Sequence, residues 1–417
     1  MTPKPDMHRG LALRAYLLAS HLFPLFAGRV LRQRLDRGKE HPDRWREKLG
    51  QGFTPRPDGP LIWLHAVGLG EVLSLRGLIT RMADLRPDLA FLVTSTTVTS
   101  AQVFARNLPP RTIHQFLPID APAYRRRFLD TFRPDLGVWV EQDIWPGFVS
   151  DAAARGIPQV VIAARMNAAS HASHRKARAV YRDLYRAMAL VTAQDQATAD
   201  HLAQLGAQNV TVTGSLKPAS PPLACDADEL ARLQKTLADR RIWAVAPSHP
   251  ADEALALAAH AVVRKADPTA LLIIAPRFPD RRDAIVAAPI KMRSKGEIPD
   301  AHDPVWLCDT FGDLGLIYRL AETVLIGGTF CGTQGHNPWE AAALDTAILH
   351  GPQVANFTAD FAVLDAAGAA RGVMTAQDVA DAVQSPGAMA ENASQIISTA
   401  AVRTDALASD LVSLLRR

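Results

Sequence analysis

"LIWLHAVGLGE", residues 61–71, decides the fold of this chain. Leu61 to Leu64 form a continuous apolar run, the pattern of a strand buried on both faces. Gly68 and Gly70 interrupt it, and from Glu71 to Met82 apolar residues recur at helical spacing, so a helix is expected over 71–85. Strand, glycine turn and helix together make the repeating unit of a parallel sheet covered by helices. The turn also carries a histidine, His65, on one side and a carboxylate, Glu71, on the other. Two readings stand side by side. Glycine gives a tight turn and Glu71 suits the positive end of a helix; or the pair belongs to a site, because ligands of such sheets bind beyond the carboxyl ends of the strands.

The unit recurs. Strands are expected at "AFLVTST", "TIHQFLPI", "LGVWVE", "PQVVIAA", "ALVTAQ" and "NVTVTG", alternating with helices over 99–107, 122–131, 148–155, an Arg-rich 172–189 and 196–205. "KPASPP" (217–222) then places three prolines in six residues and breaks the series. A second series follows: a helix over 226–238, "IWAVAPS", a helix over 251–265, "ALLIIAP", a poorly periodic 283–304, "PVWLCD", "TVLIGG", a helix from Pro338, "TAILHG" and C-terminal helical stretches. The fold class is therefore α/β, with two Rossmann-like domains at 41–217 and 218–417 after an N-terminal segment over 1–40. The last helix is free to pack back on the first domain.

The bulk numbers agree with a globular protein. The 417 residues suffice for two domains with cores of their own, and 48% hydrophobic against 21% charged content excludes a disordered or fibrous chain. Cys225, Cys308 and Cys331 are too few and too scattered for a disulfide framework or a zinc site, which fits a reducing compartment. The net charge of +4 is unevenly spread: residues 1–50 hold eleven Lys and Arg against five acids, so the remainder is slightly acidic. No run of cations interleaved with aromatics suggests a nucleic-acid partner. Within the basic segment, "LALRAYLLASHLFPLFAGRVL" (11–31) is about long enough to span a bilayer at ~20 residues. Arg14, His21 and Pro24 make it a poor spanning helix. With Arg29, Arg32, Arg34 and Arg37 beside it, it reads better as a segment lying in the headgroups of an anionic leaflet, or as an ordinary helix packed on its own domain.

Several motifs follow strands. Gly68 and Gly70 lack the third glycine of a dinucleotide fingerprint, since Leu73 stands there, and no Gly-Lys-Ser/Thr phosphate loop occurs. "GVWVEQDIWPG" puts Glu141 and Asp143 at a strand end, as acid/base groups, hydroxyl ligands or helix caps. "IGGTFCGTQGHNPWEAA" carries Gly327, Gly328, Gly332 and Gly335 into His336-Asn337-Pro338-Trp339-Glu340. Asn337 as N-cap, Pro338 as the first helical residue and Glu340 at the third would make a glycine-flanked helix start, a ready phosphate site. "APSHPADE" offers Ser248, His249 and Glu253; "APRFPDRR" offers Arg277 and Arg281, natural partners of carboxylate or phosphate; "CDTFGDLGLIY" offers Asp309, Thr310, Gly312 and Asp313.

From about residue 40 to 365 the chain resembles the bacterial 3-deoxy-D-manno-octulosonic acid (Kdo) transferases of lipopolysaccharide synthesis. The resemblance rests on "HAVGLGE", "EQDIWP", "TGSLKP", "PRFPDR", "DTFGDL" and "GG…GHNPWE" in the family's order. It implies a GT-B glycosyltransferase whose two parallel sheets face across a cleft, moving Kdo from CMP-Kdo to a lipid A precursor with inversion, without metal or cofactor. It makes Glu71 the catalytic base. His65, Gly70, Glu141, Asp143 and Arg165 become acceptor-side residues, with His65 alternatively orienting the turn from the core. Lys217, Ser248, His249, Arg277, Asp309, Thr310, Gly312, Gly327, Gly328, Gly335, His336, Asn337 and Glu340 become the CMP-sugar site. It also implies that the N-terminal segment attaches the protein, peripherally or monotopically, to the cytoplasmic face of the bacterial inner membrane.

The chain departs from the family at four places. Glu141-Gln142-Asp143-Ile144-Trp145-Pro146 stands for Glu-Thr-Glu-Leu-Trp-Pro, Phe278 for the histidine of Pro-Arg-His, and Ser215 for the asparagine of Thr-Gly-Asn. Ala163-Ala164-Arg165-Met166-Asn167 stands for Asn-Ala-Arg-Leu-Ser. These bear on acceptor identity and sugar contacts more than on reaction class. Two alternatives remain open: another nucleotide sugar on the same fold, or a silent paralogue that binds a sugar nucleotide at the membrane.

Overall fold

The computed structural model describes residues 7–105, 108–141, 143–285 and 290–415. Residues 1–6 of the N-terminal segment, the last two of the helix expected over 99–107, Gln142 of "EQDIWP" and 286–289 lie outside the described residues. The chain divides into two compact units, one of residues 1–220 with 400–417, the other of residues 221–399.

The first unit opens with α1 (Leu11–Ala19), a short 3-10 turn and α2 (Phe23–Asp36). Its sheet is made of β1 (Leu61–His65), β2 (Ala90–Ser95), β3 (Thr112–Phe116), β4 (Leu136–Val140), β5 (Gln159–Ala164), β6 (Leu190–Ala193) and β7 (Thr211–Val212). All neighbours are parallel, in the order β3-β2-β1-β4-β5-β6-β7. Between them run α3 (Leu69–Leu85), α4 (Val98–Ala105), α5 (Pro122–Phe132), α6 (Pro146–Ala154), α7 (Ala168–Arg175), α8 (Arg178–Arg186) and α9 (Gln196–Leu205). The continuous apolar runs are explained by burial on both faces: Leu61 and Trp63 enter one core, Ile62 and Leu64 the other.

Three expectations shift. Helix α3 starts at Leu69, so Gly70 and Glu71 both lie in its first turn. The Arg-rich stretch is two helices, not one. His171 and Leu184 are both buried, yet thirteen residues on one straight helix place them about 220° apart, and the break re-aims the second. "NVTVTG" contributes only a two-residue, exposed edge strand.

The second unit repeats the plan. Its strands are β8 (Ile242–Ser248), β9 (Leu271–Pro276), β10 (Lys291–Met292), β11 (Val305–Leu307), β12 (Thr323–Ile326), β13 (Ala347–His350) and β14 (Ala370–Gly372), all parallel, in the order β10-β11-β9-β8-β12-β13-β14. Its helices are α10 (Ala227–Thr236), α11 (Pro250–Ala266), α12 (Leu314–Leu320), α13 (Trp339–Ala342), α14 (Thr358–Ala366) and α15 (Ala376–Gln384). The final α16 (Met389–Ser413) gives Ala393 to this unit's core and Leu407, Ala408 and Leu411 to that of the first.

The N-terminal helices are tied to the first unit by a few directed contacts. Tyr16 donates to Asp120 (2.7 Å), Gly10 N–H donates to Asp183 (2.8 Å), and Leu13 is buried. Arg125, itself buried, donates to Asp151 and lies 3.4 Å from the Asp120 carboxyl, which keeps its buried charge paired. The rest of the segment is open. Leu11, Leu18, Leu22, Leu25 and Phe26 are each more than half exposed, beside exposed Arg14, Arg29, Arg32 and Arg37. Leu11–Asp36 is long and apolar enough to cross a membrane by length and composition.

Candidate active site

The first sheet reverses its strand order between β1 and β4; in the second, where β11 also inserts between β9 and β10, the corresponding reversal lies between β8 and β12. The loops leaving those four strands diverge there, the place where ligands of open α/β sheets bind. They carry Glu71, Glu141 and Asp143 in the first unit, and His249, Gly327, Gly328 and His336 in the second.

In the first unit, Glu71 folds back over its own turn, so that its Oε2 accepts the Val67 N–H at 2.9 Å. Ser74 donates to the Glu71 carbonyl. Gly70 is exposed, with open space where a side chain would be. Glu141 follows β4 with a left-handed backbone, φ 58°, uncommon for a residue with a Cβ. Burial, reinforced by the negative charge of Glu71, pushes its carboxyl up to about 7; Lys217, Arg165 and the Gln194 amide pull the other way. Two carboxylates and two cations therefore share one electrostatic neighbourhood.

Asp143 lies 3.5 Å from the ring of His65 and accepts from the Trp145 indole at 3.3 Å. Burial acts to raise its carboxyl, but His65 and Trp145 outweigh that and hold it below its ordinary value. His65 itself is fully buried, its Nδ1 2.9 Å from the Thr94 hydroxyl and its ring edge-on to Trp139.

In the second unit, His249 and His336 stack with their rings 5.2 Å apart and share an Nε2···Nε2 hydrogen bond of 2.9 Å, one donating and one accepting. Burial, with His249 and Arg277 nearby, takes the His336 imidazole down to about 4, and burial likewise lowers His249. The pair is thus uncharged at neutral pH. Asp252 organises the surrounding backbone, accepting the N–H groups of His249 (3.0 Å), Gly328 (2.7 Å) and Phe330 (3.2 Å). A Cβ on Gly327 would fall 1.8 Å from the Pro247 carbonyl oxygen, so only glycine lets the two strand ends pass. Arg277 is exposed, its guanidinium 5.4 Å from the Phe278 ring, and Phe278 meets His249 edge-on. Gly335 closes the loop with an N–H to the Gly328 carbonyl.

The family model described as 3-Deoxy-D-manno-octulosonic-acid transferase (kdotransferase) matches residues 43–220. A 3-deoxy-D-manno-octulosonic acid transferase of Rickettsia bellii is 30% identical over 349 residues, covering 82% of this chain and 83% of its own. The chain belongs to the Kdo transferase family. The Bordetella pertussis transferase is 31% identical, over 73% of this chain and 74% of its own. Among solved structures, UDP-GlcNAc 2-epimerase from Neisseria meningitidis has a TM-score of 0.54 at 15% identity over 85% of this chain and 99% of its own, a likeness of fold alone. The protein is a glycosyltransferase of the GT-B fold.

Four assignments from sequence change once side chains are placed. His65 is sealed in the core and orients Asp143 rather than meeting an acceptor. Ser248 is equally buried and donates to Glu253, which Arg281 grips with two bonds; both belong to the scaffold. Asp309 is buried and accepts the N–H and hydroxyl of Ser294. Lys217 lies in the first unit, where its charge acts on Glu141. The helix expected at Asn337 is one turn of four residues beginning at Trp339. Asn337 accepts the Trp339 N–H and donates to Glu340, so the side chains stitch a loop rather than cap a helix with a phosphate-binding end.

Thr310 donates to Asp313, which also pairs with Arg293, and with Phe311 and Trp306 it lines a separate cavity of about 360 Å³; Gly312 turns this loop at φ 95°. That loop leaves β11, two strands from β8. Sequence reading missed Gln194, Thr94 and Asp252. Only Asp252 had a local signal, its place three residues after His249 at the start of α11.

Proposed function

We propose that this enzyme transfers Kdo from CMP-Kdo to a hydroxyl of a lipid A precursor, with inversion at the anomeric carbon, as a step of lipopolysaccharide synthesis at the cytoplasmic face of an anionic membrane. The observation that carries the reaction is the first-turn position of Glu71 at the carboxyl end of β1, with Oε2 held by Val67 N–H and Glu141 close enough to feel its charge. The acceptor oxygen attacks the anomeric carbon and gives its proton to Glu71. The bond from that carbon to the phosphate oxygen breaks, and CMP leaves with the electron pair. Glu141, Asp143, Arg165 and Lys217 form the polar surround of that step, with Gly70 leaving room for the acceptor. On the donor side Arg277 meets the developing phosphate charge, while His249 and His336, kept neutral, are hydrogen-bonding groups for the sugar nucleotide. Gly327, Gly328, Gly335, Asn337 and Glu340 shape that loop. Attachment to the membrane falls to the exposed apolar and cationic side chains of α1 and α2.

The test is a product analysis. Purified full-length protein with CMP-Kdo and lipid A precursor should release CMP and add whole Kdo units to the lipid by mass. Turnover only with another sugar nucleotide, or none with any, would overturn the donor assignment.

A further inference from the structure

The turn that carries Glu71 lacks the usual side-chain cap. Gly68 occupies the N-cap position of α3 and offers no side-chain oxygen to the first-turn N–H groups, a role that Ser, Thr, Asp or Asn ordinarily fills. The restraints come from two other directions. Val67 N–H is held by Glu71 itself, at 2.9 Å. The Val67 carbonyl accepts from the hydroxyl of Ser100, at 3.0 Å, across from the next strand–helix connection. Ser100 is fully buried, and Thr97 fixes it twice: the Thr97 hydroxyl donates to Ser100 Oγ at 2.6 Å and accepts the Ser100 N–H at 3.2 Å. Thr97, Ser100 and Val67 thus form one directed chain of hydrogen bonds, in which each bond polarises the next.

Gly68 and Ser100 answer the same steric problem. A Cβ on residue 68 would lie 2.9 Å from Glu71 Oε1, so the carboxylate occupies the space a capping side chain would need. Without that cap, the peptide planes on either side of Val67 are pinned from outside, one by Glu71 and one by Ser100. If the second plane rotates about the Val67 Cα–C bond, Gly68 and the helix start that carries Glu71 shift relative to Val67 N–H, and the carboxylate loses its aim.

From this we infer that Ser100, seated by Thr97, is a positioning residue for Glu71, acting through the backbone of Val67. The inference rests on Glu71 being the base. Its test uses Ser100→Ala in the full-length enzyme, with CMP-Kdo and lipid A precursor as substrates. The turnover number falls about tenfold or more, as expected when a reacting group is misplaced, with both KM values unchanged and the melting temperature little altered. Ser100→Cys, which fills the space but donates poorly, shows the same loss. In a Glu71→Gln background Ser100→Ala has no further effect. Wild-type turnover in either Ser100 variant overturns the inference, as does a loss shared between kcat and KM that follows a fall in melting temperature. If Glu71→Gln turns over like wild type, the reading of Glu71 fails. If Glu71→Gln is inactive while Ser100→Ala is normal, only the role of Ser100 fails.

Discussion

The amide nitrogen of Gln194 lies 3.3 Å from Glu141 Oε1 and 3.0 Å from the carbonyl of Ala163. Both partners sit in left-handed backbone, at φ 58° and 47°, at the ends of adjacent strands. One side chain from the end of β6 therefore bridges two unusual strand ends and presents a buried carboxyl beside Glu71. Left-handed conformations outside glycine persist where their surroundings enforce them, and they cluster at functional sites.

Gln194 donates to the charged form of Glu141 and so lowers its titration point from what burial alone would impose. Replacing it by leucine should move Glu141 above its present value of about 7. In a profile of kcat against pH from 5.5 to 9, the limb near pH 7 should shift to the alkaline side in Gln194→Leu. An unshifted limb would contradict this link.

Gly327 is the tightest backbone crossing near the second unit's switch point. In Gly327→Ala the new Cβ meets the Pro247 carbonyl oxygen and the Ser248 Cα, neither of which is a flexible side-chain end. Thermal unfolding should show a loss of about 3 kcal/mol, with CMP binding lost by calorimetry. Wild-type stability would mean that β8 and β12 separate more easily than their geometry implies.

Leu18 and Phe26 are exposed apolar groups outside the first unit's buried core. Changing both to glutamate should weaken flotation with anionic liposomes by about tenfold or more, since each buried side chain of this size contributes about 1.5–3 kcal/mol. CMP-Kdo affinity should stay as in wild type. Undiminished flotation would remove α1 and α2 from the membrane contact.

How much was legible in the sequence follows from the range of each interaction. Strands such as Leu61–His65 and Leu271–Pro276 were plain because burial on both faces leaves a continuous apolar run. The strand-end placement of Glu71, Glu141 and His249 followed from that pattern alone. The partners of those residues did not. Thr94 meets His65 because β1 and β2 pair in one register, and Gln194 meets Glu141 across β5. Such contacts are fixed by lateral packing and leave no mark along the chain. Asn337-Pro338-x-Glu340 misled for the opposite reason: its local spacing mimics a helix start, but the helix stops after one turn, ahead of the left-handed Asp345. For His65 both readings stood open, the acceptor side and the core, because a histidine at a strand end reads the same whether it points to Thr94 or to solvent; it lies in the core.

The most direct test of the account is Glu71→Gln, assayed by CMP release in a single turnover with donor binding measured in parallel. The substitution keeps the shape of the side chain and removes its basicity. The predicted result is a rate at least a thousandfold lower, within the range general-base catalysis supplies, with CMP-Kdo affinity within about twofold of wild type. A variant that turns over within tenfold of wild type would contradict Glu71 as the base.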